Sequence, residues 1–134
     1  TVVKPIERIY LGAITLAGSY VAAQTGRYTS CSTASDNFAY TDTGPLTITQ
    51  SATTLTLTFA YASGADCTFK GTWERRGQLF RAPGSSYQCS GSLAVNTTAA
   101  LYEIKQTAQG MEGRYSATLA NGCREDAWFS AVLR

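Results

Sequence analysis

The chain has 134 residues, a formal net charge of +2, charged side chains at 15% of positions, four cysteines and no histidine. That length closes one core without room for a second domain of ordinary size, and the near-neutral charge argues against wholesale nucleic-acid binding, which calls for a strongly basic stripe. Without histidine, the Ser-His-Asp and Cys-His nucleophile systems and the usual zinc sites have no base or ligand, and no Cys-x-x-Cys spacing replaces them.

The first 24 residues carry an uncharged run, Ile9 to Gly18, behind Lys4 and Arg8. The run is shorter than the ~20 apolar residues a membrane helix needs, so no transmembrane segment is expected. Its basic flank and the small residues Val21-Ala22-Ala23 imitate a secretory leader, but the segment reads as part of the mature fold. Gly12, Gly18 and the β-branched residues oppose a helix and favour extended structure. Ile9, Tyr10, Leu11, Ile14 and Leu16 are therefore candidate contacts for a partner's sheet edge or for a second copy of this chain.

Gly18-Ser19-Tyr20 opens a series of glycine-x-aromatic triplets that continues with Gly26-Arg27-Tyr28, Gly71-Thr72-Trp73 and Gly113-Arg114-Tyr115. Residues two apart on a strand share a face, so each ring is expected to fold over its own glycine. Ser32 to Gly44 reads as a polar loop. Leu46 to Gln50 and Thr54 to Ala60 alternate strictly, with Leu55, Leu57 and Phe59 opposed to Thr54, Thr56 and Thr58, the pattern of strands with one wet face. Ser51-Ala52-Thr53 turns between them.

Asp66 to Ser90 holds the densest charge. Cys67, Phe69, Gly71 and Trp73 share a face, Arg75-Arg76-Gly77 turns, and Ala82-Pro83-Gly84 is expected to break the returning strand. Lys70, Arg75, Arg76 and Arg81, interleaved with Trp73 and Phe80, form the best candidate ligand or partner site, because guanidinium groups beside aromatic rings hold anions and stacked rings. The same charges equally suit a hairpin tip that keeps a sheet edge soluble. Strands are then expected at 99–105, 113–119 and 126–133, turning at Gln109-Gly110 and at Asn121-Gly122, where a two-residue hairpin with positive φ at both positions is favoured. Glu125 and Asp126 point to opposite faces and read as solvated turn charges.

The offsets Cys31 to Cys89, Ile48 to Ile104 and Cys67 to Cys123 lie between 56 and 58 residues. A duplicated four-strand unit leaves such a period. Cysteines 31, 67, 89 and 123 read as two disulfides formed in an oxidising compartment. Three pairings are open, of which the duplication favours Cys31 with Cys67 and Cys89 with Cys123. The predicted fold is a single all-β domain over 1–134. It is an antiparallel up-and-down barrel of about eight strands, or a closed sandwich, with 1–25 as an apolar extension or strand, 26–75 as the first half and 76–134 as the second.

The triplets, the meander and the size resemble avidin-type and lipocalin-type small barrels. The series Cys67-Thr68-Phe69-Lys70-Gly71-Thr72-Trp73, Ser86-Tyr87-Gln88-Cys89-Ser90, Glu103-Ile104 and Gly113-Arg114-Tyr115-Ser116-Ala117 is similar to a group of uncharacterised secreted bacterial β proteins. The first resemblance implies a small ligand held inside the barrel. It carries over no ligand residue, since the triplets alone match and fold does not fix function.

The leading functional expectation is a non-catalytic extracellular, periplasmic or cell-surface interaction module that self-assembles or joins a larger complex. The alternative is a small-ligand-binding barrel lined by Tyr20, Trp73, Tyr102, Tyr115 and Trp128. An enzyme would have to work through carboxylates (Asp66, Glu74, Glu103, Glu112, Glu125, Asp126) that the spacing does not pair. No catalytic residue, cofactor, metal or nucleic-acid partner is expected. A packed interior with Ile6 to Ala23 lying against another chain would favour the module, and a large open pocket the ligand carrier.

Overall fold

Threonine-leucine alternation needs two environments, one apolar and one wet, and a closed barrel supplies them to every strand. The computed structural model describes residues 15–134. Nine strands follow in order: β1 (Gly18–Thr29), β2 (Phe38–Gln50), β3 (Thr54–Ala60), β4 (Ala65–Thr72), β5 (Glu74–Arg76), β6 (Leu79–Gly91), β7 (Val95–Gln106), β8 (Gly110–Thr118) and β9 (Arg124–Leu133). Eight of them form an antiparallel cycle, β1-β2-β3-β4-β6-β7-β8-β9, that closes where β9 pairs with β1; the short β5 pairs only with β6. Closure satisfies both edges of the cycle and removes the open ladder that an unclosed sheet would expose.

Inward residues keep the expected parity in β3, where Leu55, Leu57 and Phe59 are buried. They face Leu46, Ile48, Cys67 and Phe69 from the neighbouring strands, and Phe129 meets Phe59 edge-on at 5.2 Å. Each such ring or aliphatic group contributes ~1.5–3 kcal/mol by leaving water. One end of the barrel, reached at the start of β1, is plugged. Leu16 is 0% exposed, its N–H donates to Gln50 Oε1 (2.8 Å), and its carbonyl accepts from Tyr20 Oη (2.7 Å). Leu16 thus belongs to this chain's own core and is not an exposed partner contact, because the chain turns across the barrel end before β1. Ile9, Tyr10, Leu11 and Ile14 lie outside the described residues.

Several sequence expectations need correction. Residues 38–44 are not loop but the first half of β2, paired from Tyr28↔Phe38 to Gly18↔Ile48, because β1 is long enough to template them. Pro83-Gly84 does not break β6. The pairing slips from Phe80↔Ile104 to Ala82↔Leu101 to Ser85↔Ala99, so the extra residues are absorbed as a bulge that keeps Phe80, Ala82, Ser85 and Tyr87 inward. A second bulge on β7 places Glu103 at φ 52° and returns Ile104 to the interior after Leu101. At Asn121-Gly122 only Gly122 has positive φ (83°). The connection spans 119–123, with the Asn121 side chain accepting from Cys123 N–H, so it is not a two-residue hairpin. Only Gly18 lies under its own triplet's ring. Gly26 lies under Tyr40 of the paired strand, and Gly113 under Ile104 and Phe129.

The disulfides are Cys31–Cys123 and Cys67–Cys89, not the predicted pairs. In a meander the first and last strands of one half are not neighbours, so a Cys31–Cys67 bridge would have to span the barrel. Closure instead sets β1 beside β9 and β4 beside β6, and Cys67 and Cys89 are direct cross-strand partners. The observed pairing still suits the sequence period: exchanging the halves maps Cys31 onto Cys89 and Cys123 onto Cys67, which turns one bridge into the other. Both bridges clamp the barrel end opposite Leu16, where β1 finishes and β9 begins.

Candidate functional site

At that clamped end the inward positions stop being aliphatic. β1 supplies Gln24, β2 Tyr40, β6 Tyr87, β8 Tyr115 and β9 Glu125, and Tyr61 follows directly on β3. Glu125 is 1% exposed. It faces inward because it shares parity with Ala127, Phe129 and Ala131 on β9, while Asp126 faces out and pairs with Arg124. The reading of Glu125 as a solvated turn charge is therefore wrong. The strand begins at Arg124 and not at Asp126, and the apolar alternation carried back two residues would have placed the carboxylate inside.

Hydrogen bonds around Glu125 run in one direction. Tyr61 Oη donates to Gln24 Oε1 (2.6 Å), and Gln24 Nε2 donates to Tyr40 Oη (2.9 Å) and Tyr115 Oη (2.8 Å). Tyr115 Oη donates to Glu125 Oε2 (3.0 Å), Tyr40 Oη donates to the same oxygen, and Tyr87 Oη donates to Oε1 (2.8 Å). Every phenol proton of the set is spent, three of them on one carboxylate. Among the described residues no buried side-chain polar atom lacks a partner, and no ion pair includes Glu125.

Burial pushes the phenols of Tyr40, Tyr61, Tyr87 and Tyr28 far above the ordinary tyrosine value, with the Glu125 charge as the next cause. Tyr115 is raised by burial, then by Tyr61, Tyr87 and Glu125. All five remain hydroxyl donors at neutral pH, so none of them supplies a phenolate base or nucleophile.

Above the network the barrel opens into a mouth cavity of about 250 Å³. Tyr28 stacks on Tyr40 at 5.2 Å and tilts against Phe38 at 5.0 Å to make one rim. Asp42, two residues beyond Tyr40 on β2, accepts from Ser63 Oγ at 2.6 Å, and Cys67 forms part of the wall. Among the described residues the lining holds two carboxylates, Asp42 and Glu125, and no lysine or arginine, on a chain that is positive overall. Below it, stacking of Phe69 on Tyr87 (4.4 Å) and packing of Phe69 against Tyr115 (4.6 Å) fill the interior.

Comparison with protein-family models, curated proteins and solved structures finds no match. The site therefore rests on its own geometry.

The sequence-derived candidates are dispersed. Phe80 is buried, and Trp73 packs on it at 5.4 Å while donating to the Ser51 carbonyl, at the plugged end and far from the mouth. Lys70, Arg76 and Arg81 face outward; Arg81 is paired with Glu74 at 2.7 Å, and Arg75 lies over Phe80 and donates to the Gly77 carbonyl. Arg75 therefore stays with the Trp73 and Phe80 rings, while strand parity turns Lys70, Arg76 and Arg81 outward. Of the five expected lining residues, Tyr115 alone reaches the mouth cavity. Tyr20 is buried near the plug, Tyr102 lies on the outer face, and Trp128 is 54% exposed there. A larger concavity of about 630 Å³ runs along that outer face beside Trp128, but its charges are already matched, Lys105 with Glu112 and Arg114 with Glu103. Its volume is that of an open groove and shows no buried polar group.

Proposed function

We propose that this protein is a non-catalytic small-ligand-binding barrel of an oxidising, extracytoplasmic compartment, with the ligand seated in the mouth above Glu125. One observation carries the reading: at this end of the barrel an aromatic-lined cavity has a buried, hydrogen-bonded carboxylate as its floor. Apolar walls with a few convergent polar groups are the ordinary make-up of a ligand site. At about 250 Å³ the cavity displaces roughly eight waters at ~30 Å³ each. That suits a small molecule or the head group of a larger one. Two disulfides and the absence, among the described residues, of any helix long and apolar enough to cross a membrane support the compartment.

The test is an amide NMR screen of small-molecule mixtures against the wild type and Ala65→Trp, whose indole would fill the cavity from its wall. Saturable shifts at Gln24, Tyr61, Tyr115 and Glu125 that vanish in a folded Ala65→Trp protein are expected. Shifts that survive the block, or a screen without any, would remove the reading.

A second reading, contact with another protein or with copies of itself, is favoured by one feature. Val21, Val132 and Leu133 are each at least half exposed and adjoin on the β1–β9 seam, close to where the chain enters at Thr15. Deleting residues 1–14 and comparing oligomeric state by ultracentrifugation tests it, since an unchanged assembly removes the N-terminal segment as the contact.

A further inference from the structure

Three features of the mouth together select a ligand class, and the selection rests on the reading just given. The first is charge. Glu125 and Asp42 are both acidic, and among the described residues no basic side chain lines the cavity. A carboxylate removed from water normally requires a cation as well as hydrogen bonds, and three phenols supply only the latter.

The second is the placement of the carboxylate. Glu125 Oε2 takes two phenol donors and Oε1 takes one, Tyr28 on the rim adds a further phenol that interacts with it, and the side chain itself lines the cavity, so its hydrogen-bonded negative charge faces the space a ligand would occupy. The third is the wall. Tyr28, Phe38, Tyr40, Tyr61, Tyr87 and Tyr115 line the cavity; one face of Tyr61 is covered by Phe59, one of Tyr87 by Phe69, and Tyr28 and Tyr40 cover each other, and a cation is attracted to a ring face left open.

We infer that the mouth binds a small organic cation, an alkylammonium or quaternary ammonium group, with Glu125 as its buried counter-ion and the tyrosine rings as its cage. An inorganic divalent ion fits less well. Calcium wants six to eight oxygen ligands, and the described residues contain no cluster of three acidic, cysteine or histidine groups to provide charged ones. An anionic ligand would meet two carboxylates with nothing to offset them. A neutral ligand would leave the floor charge uncompensated.

The experiment compares isosteres on the wild-type protein by titration calorimetry and tyrosine-ring NMR. The probes are methylammonium, tetramethylammonium and choline, each set against a neutral counterpart (for choline, 3,3-dimethylbutan-1-ol) and an anionic one (3,3-dimethylbutanoate). At least one cation should bind at the mouth ten-fold or more tightly than its neutral isostere, with no detectable binding of the anion. In Glu125→Gln, checked for folding by circular dichroism, that preference should fall to within about three-fold. The wild-type comparison stands even if the variant does not fold. If neutral or anionic probes, or uncharged members of the broader screen, bind the mouth as tightly as every cation, the ligand class is wrong while the binding site remains. If no compound of any charge perturbs the mouth, the site itself is refuted.

Discussion

Replacing Glu125 by alanine should cost far more stability than its neighbour Asp126, although the two adjacent acids look alike in the sequence. The Glu125 side chain accepts three phenol protons, two of them from the buried tyrosines Tyr87 and Tyr115. Alanine removes the acceptor and strands those two hydroxyls, each costing ~1–3 kcal/mol when left unpaired. Tyr40 is only partly buried and can turn to water. Removal of a desolvated carboxylate returns part of the loss. The expected net destabilisation is about 2–5 kcal/mol, a large share of the ~5–15 kcal/mol that holds a domain of this kind folded. Asp126 is half-buried on the outer face and pairs with Arg124 at the surface, so Asp126→Ala should change stability by less than ~0.5–1 kcal/mol. Urea denaturation followed by tyrosine and tryptophan fluorescence measures both. Equal losses, or a Glu125→Ala protein as stable as wild type, would refute the claim that the network is built on this carboxylate.

Alkaline pH should expose the same network. The phenols of Tyr20, Tyr28, Tyr40, Tyr61, Tyr87 and Tyr115 are all raised above 10.0 in the folded chain, foremost by burial, so their contribution is complete below about pH 10. Above that the unfolded chain loses protons that the folded one keeps, and stability must fall as pH rises; phenolate absorbance from these residues should appear only together with unfolding, and early independent ionisation would contradict their burial. Non-reducing peptide mapping should recover Cys31 linked to Cys123 and Cys67 linked to Cys89. Their sequence separations of 92 and 22 residues make the first bridge the more stabilising by ~1 kcal/mol on loop entropy, which guanidinium denaturation of the single Cys-pair→Ser variants measures. Gly26→Ala would drive a methyl group into the Tyr40 ring, so a loss of ~1–3 kcal/mol with a disturbed Tyr40 ring resonance is expected, and a neutral outcome would mean Tyr40 is not held there.

Strand parity was legible wherever apolar and polar residues alternate cleanly, and β3 lies over Thr54–Ala60 as predicted. The meander and barrel class followed from it. What parity could not reveal was pairing between chain ends. The β1–β9 seam joins residues 95 to 113 positions apart, and without it neither the Cys31–Cys123 pairing nor the convergence of Gln24, Tyr40 and Glu125 can be derived. Bulges hid the rest: the added residues at Pro83-Gly84 and Glu103 reset parity midway through β6 and β7. The basic cluster is dense in charge, yet Lys70, Arg76 and Arg81 lie on the outer face and only Arg75 reaches the ring of Phe80. Glu125 gave a quieter signal, a charged residue in phase with Ala127, Phe129 and Ala131, and a strand drawn two residues longer would have exposed it.

The most direct measurement is an intermolecular NOE spectrum of the wild-type protein with a trimethylammonium compound at saturation. The account predicts NOEs from the methyl protons to the ring protons of Tyr40, Tyr61 and Tyr115 at the mouth. NOEs to Trp128 on the outer face in their place, or none to any mouth ring, would contradict it.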